Sequence, residues 1–139
     1  MDGTTVSYPL ALSLLSADGS EVILAAELRY TMHDPLAVEA LFNDGGDEPV
    51  RWVFARDLLS AGLDHRFGDG DVVVWPTIDA EGTRAVHVRL RSPHGDALLE
   101  ASADAVQAFL VATWALVPPG TEHEHLDVDN VLVALLGDS

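Results

Sequence analysis

Residues 4–31, TTVSYPLALSLLSADGSEVILAAELRYT, decide the fold, because their side chains alternate with a period of two. Val6, Tyr8, Leu10, Leu12 and Leu14 point one way, and Thr5, Ser7, Pro9, Ala11 and Ser13 the other. After Asp18-Gly19 the alternation resumes, with Val22, Leu24, Ala26, Leu28 and Tyr30 opposite Glu21, Glu27 and Arg29. Successive side chains of a strand face opposite sides, and Asp-Gly readily takes the positive φ of a tight hairpin turn. The stretch therefore predicts an antiparallel hairpin with one buried face. Proline has no N–H to give a ladder, so the first strand is expected to be an edge or a bulge near Pro9.

Working outward, residues 34–43 admit two readings. Asp34-Pro35 before LAVEALF reads locally as a capped helix with proline in its first turn, and the pattern alone leans that way. The strand reading puts Val38, Ala40 and Phe42 on one face and ends at Asn43-Asp44-Gly45-Gly46. VRWVFA (50–55) is a strand, followed by a short helix from Arg56 to Ala61 closed by Gly62. DVVVW (71–75) is a strand expected to stop at Pro76. In 84–92, Val86, Val88 and Leu90 point inward and His87, Arg89 and Arg91 outward; ALLEA (97–101) follows a Ser92-Pro93-His94-Gly95 turn. Ser102 then caps a helix carrying Val106, Phe109, Leu110, Thr113, Trp114 and Val117, ended by Pro118-Pro119-Gly120. A last short helix is expected near 129–136. The sum is a single α+β domain with antiparallel sheet, not βαβ alternation.

Composition narrows the function. The chain has 139 residues, enough for one domain with a real core, and 48% of them are hydrophobic. Seven cations, all arginine, stand against 23 acids, for a formal net charge of −16. That field disfavours nucleic acid and anionic membranes. Absence of cysteine removes disulfides, thiolate zinc sites and thiol catalysis. Leu10–Leu15 is too short to span a bilayer and lacks the preceding basic residue of a secretory signal, so a cytoplasmic protein is expected.

Chemistry is hard to find. The run Glu122-His123-Glu124-His125-Leu126-Asp127-Val128-Asp129 matches no metal-ligand spacing. Thr121 with Glu124 suits a helix capping box instead. Gly68-Asp69-Gly70 precedes a strand, so it is a turn and not a phosphate cradle. No GxSxG elbow is present. His87, Arg89 and Arg91, with Trp52, Trp75 and Tyr30, can be drawn as a platform for single-stranded nucleic acid; the plainer reading is a strand face paired with acids. Neither catalysis, metal nor cofactor is expected. The helix bearing Trp114 is also apolar through Ala108, Val111, Ala112 and Ala115, so it needs cover on more than one side, in the core or at a subunit interface.

Several segments together resemble one family. They are Asp34-Pro35-Leu36-Ala37-Val38, the WVFARDLL run (52–59), Gly70-Asp71-Val72-Val73-Val74-Trp75-Pro76, the turn at 92–95 with Ala97–Ala101, and VPPGTEH (117–123). In this order they resemble the SsgA-like sporulation and cell-division proteins of filamentous actinobacteria, over about residues 4–136. The resemblance implies a Whirly-like fold, similar to mitochondrial guide-RNA-binding proteins, in a bell-shaped homotrimer, and it tips 36–43 towards strand. It also implies a non-enzymatic role at the division septum: marking septum sites and recruiting FtsZ, with SsgA as helper. Ala112 and Trp114 replace a basic and an acidic residue usual in the family, and Leu36 replaces a common aromatic. Partner binding is expected at Pro118, Pro119, Gly120, Thr121 and Glu122, a loop that holds the family signature without an obvious core role, with rigid Pro-Pro presenting Glu122; a helix stop plus capping box is the alternative. Subunit contact is expected at Trp114, Val111 and Ala112. Arg56 and Asp57 most simply cap or pair at the short helix.

Overall fold

A computed structural model describes residues 3–43, 47–93 and 95–126. Strands β1 (Thr5–Leu15) and β2 (Glu21–Thr31) pair along their whole length, from Thr5 opposite Thr31 to Leu15 opposite Glu21. The turn between them closes as the sequence predicts: Gly19 takes φ +87°, and the Asp18 carboxylate accepts the Ser20 N–H at 2.9 Å. Next come β3 (Ala37–Phe42), β4 (Val50–Ala55) and helix α1 (Arg56–Gly62). Then follow β5 (Val72–Ile78), β6 (Arg84–Ser92), β7 (Gly95–Ser102), helix α2 (Ala103–Leu116) and a 3-10 turn, Glu122–His125. The strands form one seven-stranded antiparallel sheet in the order β4-β3-β2-β1-β7-β6-β5.

Residues 37–42 are strand, against the local helical signal. Between β2 and β4 the segment completes ladders on both sides and buries Val38, Ala40 and Phe42 on one face. Tertiary pairing of that kind outweighs the few tenths of a kcal/mol by which helix propensities differ. Pro9 sits opposite Glu27, where β1 has no strand on its other flank among the described residues, because β7 meets β1 only at Ser13, Leu14 and Leu15. β5 runs past Pro76 to Ile78, beyond the expected stop. It is an edge strand, where a missing N–H breaks no ladder on the open side.

Helix α2 lies against β1, β6 and β7 on the inner side of the sheet. The Ser102 hydroxyl accepts the Ala105 N–H, the expected N-cap. Val106, Phe109, Leu110 and Thr113 are buried, and the Phe109 ring meets Tyr8 edge-on, 6.5 Å between centroids. Full burial of a side chain such as Phe109 stabilises by about 1.5–3 kcal/mol. The opposite side of the helix is solvent-exposed at Ala108, Val111 and Ala115. The helix expected near 129–136 falls outside the described residues.

Candidate partner-docking site

The buried centre of the site is Arg56, whose side chain is 1% exposed. It opens α1 just after β4, so its backbone is fixed by the sheet, and its N–H bonds the Leu36 carbonyl at 2.9 Å. The side chain crosses to the end of α2. There Nη1 donates to the Val117 carbonyl at 2.8 Å and to the Thr113 carbonyl at 3.3 Å. The last turn of α2 has no basic residue of its own. Arg56 therefore supplies, from another element, the cation that a helix C-terminus favours. Its guanidinium also stacks on the Tyr30 ring, 4.9 Å from the centroid. Burial pushes the Tyr30 hydroxyl above its ordinary pKa, and that hydroxyl donates to the Pro35 carbonyl at 2.9 Å.

Arg56 Nη2 completes the centre by donating to Glu122 Oε1 at 2.8 Å. The second carboxylate oxygen, Oε2, accepts the Gly120 N–H at 2.9 Å. The Glu122 backbone N–H, foremost, and the Arg56 guanidinium both favour the ionised carboxylate, and they hold its pKa below the ordinary value despite some desolvation. Between Val117 and Glu122 the chain makes a tight turn: the Thr121 N–H bonds the Pro118 carbonyl at 3.1 Å, and Gly120 has φ +89°. Proline then glycine at the two central positions is the order a type II turn requires.

This geometry revises three expectations. Arg56 pairs with Glu122, not within its own short helix. Thr121 Oγ1 donates to the Pro118 carbonyl at 2.7 Å, so the Thr121–Glu124 capping box does not form. Glu122 turns inward, with a side chain 13% exposed, and it locks the turn instead of standing proud of it. Pro118, Pro119 and Gly120 are the exposed part of the loop. Val111 is 52% exposed nearby on α2, whereas Ala112 and Trp114 are half-buried and Trp114 packs against the core. Sequence reasoning could not have found the Thr113 and Val117 carbonyls as partners of Arg56, because backbone acceptors carry no side-chain signal.

The basic stripe comes together only in part. His87 Nε2 lies 2.8 Å from Glu100 and Arg91 Nε 3.7 Å from Asp96, so these two face acids. Trp75 joins them on the outer face, meeting His87 edge-on, but Tyr30 is buried and Trp52 packs against the core. The drawn platform of three rings does not exist. Among the described residues no group of three His, Asp or Glu is placed to hold a metal, and no helix is long and apolar enough to cross a membrane.

The two stretches joined at this centre, WVFARDLL and VPPGTEH, are two of the segments that carry the family resemblance. A family model described as Streptomyces sporulation and cell division protein, SsgA, matches residues 24–122. The chain belongs to the SsgA family. Within that family it is 50% identical over 136 residues to the sporulation-specific cell division protein SsgB of Streptomyces coelicolor, covering 98% of each chain. It is 41% identical over 127 residues to SsgB of Thermobifida fusca, covering 91% of each. Two solved structures of the SsgA family share its fold with TM-scores of 0.84. One, from work on SsgB mutations that correlate with longitudinal cell division during sporulation of Streptomyces coelicolor, is 52% identical and covers 88% of this chain and 95% of that one. The other, an SsgA-like sporulation-specific cell division protein from Thermobifida fusca, is 39% identical and covers 98% of both. SsgA-family membership thus places the chain among sporulation cell-division proteins, named for a cellular process and not for a reaction.

Proposed function

We propose that this protein is a non-enzymatic docking subunit of sporulation septation: it sits in the cytoplasm at the septum, marks division sites and recruits FtsZ, with an SsgA-type helper. The observation that carries this reading is the Arg56–Glu122 pair, which ties down an exposed Pro118-Pro119-Gly120 turn just after α2. A preformed apolar corner of this kind loses little conformational freedom on binding, which is what a docking element needs. We assign Pro118, Pro119, Gly120, Thr121 and Glu122 to partner binding, the first three as contacts and the last two as supports. Subunit contact in a Whirly-like, bell-shaped homotrimer is assigned to Val111, Ala112 and Trp114.

The test is capture of purified FtsZ by the purified protein across a range of ionic strengths. Capture is expected, and replacing both prolines (Pro118→Ala with Pro119→Ala) should abolish it while the melting curve stays cooperative. No capture by the unaltered protein refutes direct recruitment. Light scattering on Val111→Glu and Trp114→Glu addresses assembly: a folded species of smaller mass is expected, and unchanged mass in both removes α2 from the interface.

A further inference from the structure

A row of paired residues crosses the sheet on the side away from the core. Val73 of β5 lies opposite Arg89 of β6, Arg89 opposite Leu98 of β7, and Leu98 opposite Leu15 of β1. Trp75 shares the face, two residues along β5 from Val73. Leu15, Ala17, Trp75, Arg89, Asp96 and Leu98 wall a groove of about 320 Å³.

We propose that this groove is a second docking surface, which takes a short extended segment of a partner protein carrying a carboxylate flanked by apolar side chains. It deepens the docking role above and rests on that role for its biological setting. Three observations point to this occupant. Outward positions of a solvated sheet face are ordinarily polar, yet Leu15, Trp75 and Leu98 are apolar and only half-buried. Arg89 is itself half-buried and has no acid within 4 Å among the described residues, while its neighbours His87 and Arg91 are engaged by Glu100 and Asp96. Asp96 and Glu100 on this face are engaged by Arg91 and His87, and Glu21, opposite Leu15, accepts the Ser13 hydroxyl, so each of these acids already has a partner on a molecule whose formal net charge is −16. Arg66 is committed to the Trp75 ring at 4.6 Å, which leaves Arg89 as the guanidinium with an open fork.

A guanidinium binds one carboxylate through two parallel hydrogen bonds, and the leucines and the indole edge take apolar side chains two residues to either side, which an extended chain turns to the same face. Four strands span roughly 14 Å between the outermost pair, the length of about four extended residues. A single-stranded nucleic acid needs a string of cations, and the summed field of this molecule repels its remaining phosphates.

The probe is a dye-labelled pentapeptide, Leu-Ser-Asp-Ser-Leu with an amidated C-terminus, whose leucines and aspartate share one face when extended, titrated by fluorescence anisotropy at about 0.15 M salt, a Debye length near 8 Å. Saturable binding is expected, weakened at least tenfold by Arg89→Ala and only partly by Arg89→Lys. Arg84→Ala, which removes the same charge from β6 outside the groove, should leave it unchanged. The proposal is overturned if the peptide does not bind, if Arg84→Ala weakens it equally, or if a peptide with Asn for Asp binds as well. Tighter binding of a single-stranded oligonucleotide under the same conditions also overturns it. FtsZ capture that survives Arg89→Ala, together with any of these results, removes the groove and leaves the docking role standing.

Discussion

The guanidinium of Arg56 and the carboxylate of Glu122 stand 66 residues apart in the chain and meet at 2.8 Å, with the arginine fully buried and the carboxylate at the edge of the core. Two charges removed from water attract strongly but lose hydration, so the pair matters most when one member is deleted and the other is left uncompensated. Arg56→Met is therefore expected to destabilise by about 3–5 kcal/mol, measured by urea denaturation. The double variant Arg56→Met with Glu122→Gln should lose less than the sum of the two single losses. Additive losses would show that the contact carries no coupling energy.

Acid should weaken the same contact. The native pKa of Glu122 lies below its ordinary value of 4.5, so the ionised carboxylate adds stability above that value. That contribution is lost as pH falls through the depressed native pKa. Thermal melts at a series of pH values should show the gap between the unaltered protein and Glu122→Gln constant near neutrality and shrinking below pH 4.5. A gap independent of pH would mean that Glu122 acts by shape alone.

Gly62 at the end of α1 faces the fully buried Val74, and a Cβ at Gly62 would overlap the Val74 side chain. Gly62→Ala should destabilise by about 1–3 kcal/mol, the usual range for overpacking a filled core. Combining it with Val74→Ala should recover part of that loss; no recovery would place the strain elsewhere.

Tyr30→Phe removes the hydroxyl that serves the Pro35 carbonyl and keeps the ring under Arg56. A loss of about 1–3 kcal/mol is expected, since a buried acceptor is left without its donor. Chemical denaturation with an unchanged m-value would show a native-state effect and not a change in the unfolded chain.

Most of the sheet was legible because alternation is a local signal. The hairpin at 4–31, the inward Val86, Val88 and Leu90, and the Ser102 cap all read directly. Residues 37–42 were not, because Asp34-Pro35 is a good helix start and only pairing on both flanks makes these six residues a strand. The site was half legible. Arg56 and Glu122 each fall in a stretch that could be picked out, but nothing local says that they touch. The capping-box spacing of Thr121 and Glu124 misled because the Pro118 carbonyl, three residues back, captured the Thr121 hydroxyl first.

The seam between β1 and β7 has a kinetic consequence. The chain from β1 to β4 is a run of neighbouring strands, as is β5 to β7, so each part can zip from nearby contacts; the seam instead joins Ser13–Leu15 to Leu98–Glu100, more than eighty positions away. Closing so large a loop is slow, and three residue pairs repay it only meagrely. The seam is therefore expected to close late in folding, and α2, which follows β7 directly and touches β1, adds contacts that hold it closed.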